Sequence, residues 1–410
     1  LKIKREFIKE ILFTFHLYNR SYSKMEKLFD IQAGNIDIKN PIALSAMAGI
    51  TDSEFAILRA KGAGLVVLGA YNLDDESKKA GEEATKRGRK EFTADAAAGG
   101  DVFIQIENEI DAVNAAMPET AVAVSVRSAS SEPILKAAEL LKRKNAILEL
   151  DVHCRQPEFT ERGMGQALLK ETEKLAGMIQ NIKETGVILS VKFRTTAVSP
   201  GMAAEFFEAA GADIIHADAM VEGKGADTQA IMEIKNATRI ILIANNSVDD
   251  FDAALDFFSS GADIVSVARA AADDAEFIPH LVKKITEHQQ ETGWYNTPKH
   301  VCKRGDNRGL AFCCPPVKYC SLLKRIESAG FTPDEFIKLK QESVKGTPLE
   351  LGQDTCFSSL VWCCKASKPC HYRDASLYQI GLSAKEYTLL KKELSEKILD
   401  AIDKKKKKAA

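Results

Sequence analysis

The run Glu149-Leu150-Asp151-Val152-His153-Cys154-Arg155-Gln156-Pro157 sets a thiol, an imidazole and a guanidinium side by side just after a short apolar segment. A cysteine is more often a small buried hydrophobe than a reagent. One at a strand end beside His153 and Arg155, however, sits where a thiol is activated or hands over a proton. Cys154 and His153 are therefore the candidate catalytic pair. Ser190-Val191-Lys192-Phe193-Arg194 ends a second apolar run. A lysine there is costly unless it meets an anion, such as a cofactor phosphate or a reduced ring; a lysine snorkelling at a rim is the plainer alternative. Two more runs end in Ala244-Asn245-Asn246-Ser247 and Val267-Ala268-Arg269-Ala270. Their small residues offer backbone N–H groups, and Arg269 adds a bidentate donor, which suits a phosphate. Leu44-Ser45-Ala46-Met47-Ala48-Gly49-Ile50-Thr51-Asp52 provides small residues against which a planar ligand can lie, or simply a turn and a helix cap at Thr51 or Asp52.

A second concentration of chemistry lies late in the chain. Of nine cysteines, only Cys154 falls in the first 300 residues. The others are Cys302, Cys313, Cys314, Cys320, Cys356, Cys363, Cys364 and Cys370. Cys313-Cys314-x₅-Cys320 recurs as Cys363-Cys364-x₅-Cys370, with Cys302 and Cys356 upstream. Residues 11–18 form an apolar stretch after Lys2, Lys4 and Arg5, but no small-residue cleavage site follows it. Without a secretory signal, metal binding explains the cysteines better than disulfides do. Zinc sites usually use Cys-x₂₋₄-Cys pairs, which are absent, so an iron–sulfur cluster is expected, with zinc as the alternative. A purely structural role also stays open.

These residues need a scaffold that brings them together. Between residues 40 and 288, apolar β-branched runs alternate with helical segments, the rhythm of parallel strands with crossover helices. The expected strands are 42–46, 65–68, 122–126, 147–152, 189–193, 213–217, 240–244 and 263–267. Lys-Gly-Ala-Gly precedes the second, Ala-Gly-Ala-Asp the sixth and Ser-Gly-Ala-Asp the eighth, as suits a glycine closing a helix before a strand. The expected fold is an α/β (β/α)₈ TIM barrel with a small, mostly helical cysteine-rich C-terminal domain. Residues 74–100 are a polar insertion, a helix with a loop. Expected boundaries are an N-terminal extension at 1–30, the barrel at 31–294 and the cysteine-rich part at 295–410, ending in a helix and a lysine tail. Helices are expected over 334–345 and 383–403, the second behind a capping box at Ser383 and Glu386. In this fold active residues come from the C-terminal ends of the strands, and the loops after the seventh and eighth hold phosphate. Lysine and arginine (56) nearly balance aspartate and glutamate (58), so charge gives no support to a nucleic-acid substrate, and tRNA is not favoured. No apolar run approaches the roughly 20 residues that span a bilayer, so no membrane partner is expected.

Ala46-Met47-Ala48-Gly49-Ile50-Thr51-Asp52, Cys154, the Gly163–Leu169 loop, Lys192, His216, Asn245 and Arg269 occur in the order and spacing of the dihydrouridine synthases, which this chain resembles over residues 40–275. The resemblance implies FMN at the barrel mouth and Cys154 as proton donor. Lys192 and His216 would contact the flavin, and the turns at Asn245–Asn246 and Ala268–Arg269 would hold its phosphate. There are departures. The family's Asn-x-Gly-Cys-Pro reads Asp151-Val152-His153-Cys154-Arg155 here, and Ser125 or Arg127 stands where a glutamine usually meets the flavin. Residues 309–316 and 355–365 resemble the domain called methanogenesis marker protein 9, which implies an archaeal cytoplasmic protein tied to methane metabolism. The expected function is an FMN-dependent oxidoreductase of unknown substrate, its electrons relayed through the C-terminal cysteines to an electron-carrier protein. A non-catalytic scaffold or assembly factor, and a tRNA-dihydrouridine synthase, are the alternatives.

Overall fold

The computed structural model describes residues 31–92, 100–238, 240–292, 330–348 and 381–409. It opens with an antiparallel hairpin, β1 (Ile31–Ala33) and β2 (Ile36–Ile38). Eight parallel strands follow: β3 (Ile42–Leu44), β4 (Leu65–Asn72), β5 (Ala121–Arg127), β6 (Ile147–Asp151), β7 (Leu189–Arg194), β8 (Ile214–Asp218), β11 (Ile241–Asn245) and β12 (Ile264–Val267). A two-residue pair, β9 (Met220–Val221) and β10 (Gly225–Ala226), interrupts the series. The eight close into a barrel in the order β11-β12-β3-β4-β5-β6-β7-β8. Every expected strand is present, with ends moved by one or two residues except in β4. That strand runs on to Asn72 because its far end pairs with the end of β5 past an irregularity between Gly69 and Tyr71.

Side-chain alternation organises the barrel. Leu44, Val66, Val124, Leu150, Val191, Ile215, Leu242 and Val265 point outward into the main core shared with the helices. Ala43, Leu65, Val67, Ala123, Ile147, Ile214, Ile243 and Ile264 point inward and form an apolar floor. The β1–β2 hairpin belongs to this inner cluster through Ile31, Ala33, Ile36 and Ile38, and so plugs the barrel base. It was not among the expected strands; Ile-Gln-Ala and Ile-Asp-Ile flank the turn at Gly34-Asn35.

The Gly-Ala-Asp phrases serve one repeated device. Gly211 and Gly261 close their helices with φ of 111° and 112°, a region that favours glycine. The aspartate that follows ties two other elements together. Asp213 accepts the Leu189 N–H at 2.8 Å and meets Lys183 Nζ at 2.5 Å. Asp263 accepts the Leu242 N–H at 2.9 Å and meets Lys235 Nζ. The first phrase carries Gly64 instead of aspartate, because a Cβ there would lie 2.1 Å from the Asn40 carbonyl. Asn40 Oδ1 takes over, accepting N–H groups from Ile42 and Gly64 at 3.1 Å each.

The 74–100 insertion holds a helix, Asp75–Lys86, and a short turn, Lys90–Phe92. Toward the C-terminus, helices Pro333–Val344 and Ala384–Ala409 both start with a capping box, Thr332 with Glu335 and Ser383 with Glu386. The second helix takes in Lys404–Lys408, which was expected as a tail; Lys405 bonds Glu335 at 2.8 Å. Residues 1–30 and all eight late cysteines lie outside the described residues. No helix among the described residues is long and apolar enough to cross a membrane.

Candidate functional site

A cavity of about 370 Å³ opens at the C-terminal ends of the strands. That volume falls within the roughly 300–1,000 Å³ of small-molecule sites. Ala46, Met47, Ser125, His153, Cys154, Lys192, Asn245, Asn246, Ala268 and Arg269 all line it, so ten of the eleven expected barrel-site residues meet here. Asp52 also caps the helix Ser53–Arg59 by accepting the Phe55 N–H, so the first-strand loop serves as a turn and cap as well as a wall.

His216 is the exception. It is fully buried and lies below the cavity rather than on its wall. Its Nδ1 is 2.6 Å from Glu149 Oε2 and its Nε2 is 2.8 Å from Ser266 Oγ. His216 thus supports the layer on which the cavity rests. That layer is a chain of inward-facing polar groups. Asn245 Nδ2 donates to Ser266 Oγ at 2.8 Å, and the His216 and Glu149 contacts continue from there. Lys192 Nζ lies 3.9 Å from Glu149 Oε1 and donates to Ser45 Oγ at 2.9 Å. Burial alone would raise the Glu149 carboxyl. The nearby His216 and Lys192, with hydrogen bonds from His216 and Ser125, outweigh it and lower the carboxyl to about 2. Burial keeps His216 below its ordinary value, so it donates from Nδ1 and accepts from Ser266 as a neutral ring. Glu149 did not emerge as a site residue from the sequence. The available signal was a carboxylate inside the otherwise apolar run Ile147–Leu150.

Four more side chains surround the candidate catalytic pair. His153 Nε2 lies 2.7 Å from Asp218 Oδ2 and 2.8 Å from Arg194 Nη2, and that same Nη2 lies 3.0 Å from Asp218 Oδ2. One ring nitrogen cannot donate to the carboxylate and accept from the guanidinium at once, so the proton position decides which neighbour holds the ring. Burial opposes the Asp218 charge, but the His153 hydrogen bond and the neighbouring His153 and Arg194 side chains hold this carboxyl well below the ordinary range. Asp151 Oδ1 accepts the His153 and Cys154 N–H groups at 2.9 and 3.1 Å, fixing the turn after β6. Arg127 lies beside the cysteine, its guanidinium 4.5 Å from the Phe159 ring centre and 5.2 Å from that of Phe92.

Cys154 is 6% exposed and packs against Ala80, Ala84, Phe92, Phe159 and Met164, so the polar insertion forms its apolar cover. Burial pushes the thiol up and Asp151 adds to this, while Arg127 opposes them. The group is therefore a protonated thiol at neutral pH, a donor rather than a ready nucleophile. Alkylation of Cys154 by iodoacetamide is expected to keep rising with pH beyond the ordinary thiol value of 9.0. A rate that levels off below pH 8, followed by peptide mapping, would contradict this. Gly165 holds the opposite side of the turn at φ 57°, and a Cβ there would lie 2.3 Å from the Cys154 carbonyl oxygen. Gly165→Ala is expected to cost about 2 kcal/mol from the backbone conformation alone and to speed Cys154 alkylation by loosening the turn. Urea unfolding and the same alkylation assay measure both effects.

No cluster of histidine, cysteine, aspartate and glutamate able to hold a metal ion occurs among the described residues. The expected metal site rests on cysteines beyond them.

Fold and site together define a (β/α)₈ barrel with a ligand cavity at its C-terminal mouth and a thiol in the cavity wall. The dihydrouridine synthase (Dus) family model matches residues 101–307, about half the chain, and the chain belongs to that family. It is 54% identical over 107 residues to the uncharacterized protein MJ0115 of Methanocaldococcus jannaschii, covering 26% of this chain and 69% of that one. It is 30% identical over 253 residues to MJ0144 of the same organism, covering 59% and 94%. A probable tRNA-dihydrouridine synthase of Rickettsia conorii matches at 25% over 291 residues, covering 67% and 78%. Among solved structures, the ligand-free DHODH of Eimeria tenella aligns with a TM-score of 0.48 at 11% identity, over 65% of this chain and 89% of that one.

Proposed function

We propose that this protein is an FMN-dependent oxidoreductase acting on a carbon–carbon bond next to an activating group. The observation that carries the reading is the meeting, in one cavity, of a buried lysine, a phosphate-type turn pair and a protonated thiol. The residues present fit the cofactor. Ser45, Ala46 and Ala268 leave a wall of small side chains, and Lys192 brings a cation to the cavity floor. Arg269 makes no ion pair among the described residues. Beside it Asn246 and Ser247 adopt positive φ of 104° and 53°, a conformation that costs about 1–3 kcal/mol and concentrates at ligand sites. Bound flavin supplies or accepts a hydride at one carbon of the substrate. Lys192 would hold the electron-rich part of the ring, and Asn245, Asn246, Ala268 and Arg269 the phosphate end. In the reducing direction, the Cys154 thiol gives its proton to the neighbouring carbon and regains one from solvent; in the oxidising direction the thiolate takes that proton. Asp151 and Arg127 orient the thiol.

The relatives' names suggest a uridine in tRNA as substrate. His153 and Arg155, standing where the family has glycine and proline, favour a different one. The late cysteines would carry an iron–sulfur cluster, or zinc, and pass electrons to a carrier protein. The tie to methane metabolism rests on the resemblance of residues 309–316 and 355–365 to the marker domain; two of the relatives come from a Methanocaldococcus. Anaerobic purification followed by an absorption spectrum, FMN titration and analysis for iron, sulfide and zinc tests the reading. Flavin bands with one FMN per chain are expected. A colourless protein that takes up no FMN would move the assignment to a non-catalytic scaffold.

A further inference from the structure

We propose that His153 handles the heteroatom of the substrate: its Nδ1 meets the oxygen of a carbonyl conjugated to the reacting carbon–carbon bond, with Asp218 and Arg194 as positioning residues. This rests on the oxidoreductase reading and names the activating group in it. The imidazole lines the cavity, and its side chain is 27% exposed. Its two nitrogens have different surroundings. Nε2 sits in a triangle, 2.7 Å from Asp218 Oδ2 and 2.8 Å from Arg194 Nη2, which are 3.0 Å from each other. Asp218 is ionised, and two acceptors do not rest 2.7 Å apart without a proton between them. Placing that proton on Nε2 lets Oδ2 accept from the ring and from Arg194 together. The other oxygen, Oδ1, accepts the Met220 N–H and the Asn246 amide at 3.1 Å each, so the carboxylate is fixed by four donors. Nδ1 makes no hydrogen bond among the described residues. Asp151 Oδ1 is 3.8 Å from it, beyond hydrogen-bond reach, and already holds two backbone N–H groups. Nδ1 is nevertheless not buried. Asp218, Arg194 and Asp151 are the charged groups around the ring, with neutral His216 beneath them.

A ring anchored at one nitrogen and open at the other is a proton carrier with a fixed tautomer. His153 and Cys154 are chain neighbours with separate surroundings: the thiol packs against Phe92, Phe159 and Met164, the imidazole against Asp218 of β8 and Arg194 of β7. They therefore serve two atoms of one substrate. A hydride from the bound reduced flavin, added at the far carbon of a C=C–C=O group, pushes the two π-electrons of the double bond toward the oxygen. Protonated His153 gives its Nδ1 hydrogen to that oxygen, which leaves an enol and the Nε2–H ring that Asp218 holds. The near carbon then takes the Cys154 proton as the C=O bond re-forms and the enol O–H returns its proton to Nδ1. In total the substrate gains one hydride and one proton, His153 ends as it began, and solvent reprotonates the thiolate. A carbon–carbon bond without a conjugated oxygen would leave the open nitrogen nothing to meet.

Binding of 4-nitrophenol to the full chain, with and without FMN, tests the assignment. Its phenolate carries a charged oxygen on an unsaturated carbon, as the enolate does, and turns yellow on ionising. At a pH where the free phenol is largely un-ionised, the wild type is expected to bind it as phenolate, with the proton on His153, and the yellow absorption should rise on binding. His153→Leu should weaken binding at least about tenfold and move ionisation of the bound probe to higher pH. His153→Gln keeps a donor but takes no proton, so it should recover part of the affinity and none of the ionisation; a packing role for His153 would not separate the two. Asp218→Asn should act in the same direction as His153→Leu. His153 is partly exposed, and its two variants keep the test valid if the buried Asp218 variant fails to fold. A probe that stays unbound or un-ionised in the wild type, or that ionises equally well in His153→Leu, overturns the assignment. FMN titration of the same preparation reads the other claim separately. Flavin uptake without His153-dependent phenolate sinks the assignment alone, and phenolate binding without flavin uptake sinks the redox reading alone.

Discussion

Lys192→Met is expected to lower stability by about 3–5 kcal/mol at pH 7 and to weaken FMN binding more than tenfold. Lys192 is 5% exposed, and Glu149 beneath it is fully buried with no hydrogen-bond partner for Oε1 among the described residues. Removing the ammonium leaves a carboxylate in the barrel interior with only its His216 and Ser125 contacts. The acid limb of the stability curve gives the effect a signature. In the wild type, Glu149 ionises at about 2 in the folded protein against 4.5 ordinarily. A carboxyl whose folded value is depressed adds stability above its unfolded value, and loses it as pH falls through the folded one. The wild type should therefore lose roughly 3 kcal/mol between about pH 5 and pH 2 through this group, and Lys192→Met should lose less, since only the His216 and Ser125 contacts then hold the carboxyl down. Adding Glu149→Gln to Lys192→Met should recover most of the stability at pH 7 but not the FMN affinity. Urea unfolding across pH, with flavin titration, measures both. A single variant as stable as the wild type at pH 7 would mean that Lys192 does not neutralise Glu149.

The same layer shows what could and could not be read from the chain. The eight strands were legible because both of their faces are buried, which writes them as near-continuous apolar runs. The mouth residues followed from the rule that barrel chemistry sits at the C-terminal ends. That rule also hid Glu149, which lies two residues inside the end of β6 and faces the barrel axis. The depth of His216 was hidden for a related reason. β8 runs to Asp218, and residues two apart share a face but differ in height by about 6.6 Å. Asp218 therefore reaches the cavity while His216 stays beneath it. The grouping of His153, Arg194 and Asp218 needs the neighbour order β6-β7-β8 and the register that sets Arg194 against Asp218. Neither is written in local sequence, since each residue sits at the end of a different unit. The β1–β2 hairpin was passed over because its strands have three residues each, too short for a hydrophobic period to stand out.

Two phrases that read almost alike, Ala-Gly-Ala-Asp and Ser-Gly-Ala-Asp, should behave very differently when their aspartates are changed. Asp263→Asn is expected to cost about 3–5 kcal/mol, and Asp213→Asn roughly 1 kcal/mol. Geometry does not separate them, because each aspartate accepts a strand N–H and meets a helix lysine whose ammonium also donates to a loop carbonyl, Ile240 or Val187. Burial does. The Lys235 and Asp263 side chains are 2% and 0% exposed, whereas those of Lys183 and Asp213 are 24% and 31% exposed. Asparagine keeps an oxygen for the strand N–H in both places, so the substitution isolates the loss of charge. At the surface Lys183 is left to water. Inside, the Lys235 ammonium loses its carboxylate partner between helix and barrel. Lys235→Met alone should also destabilise, by stranding the Asp263 charge. The double variant Lys235→Met/Asp263→Asn should be more stable than either single, because no unpaired charge remains. Urea unfolding of the four proteins yields the coupling. A double variant whose loss equals the sum of the singles would show that the pair acts through packing rather than charge.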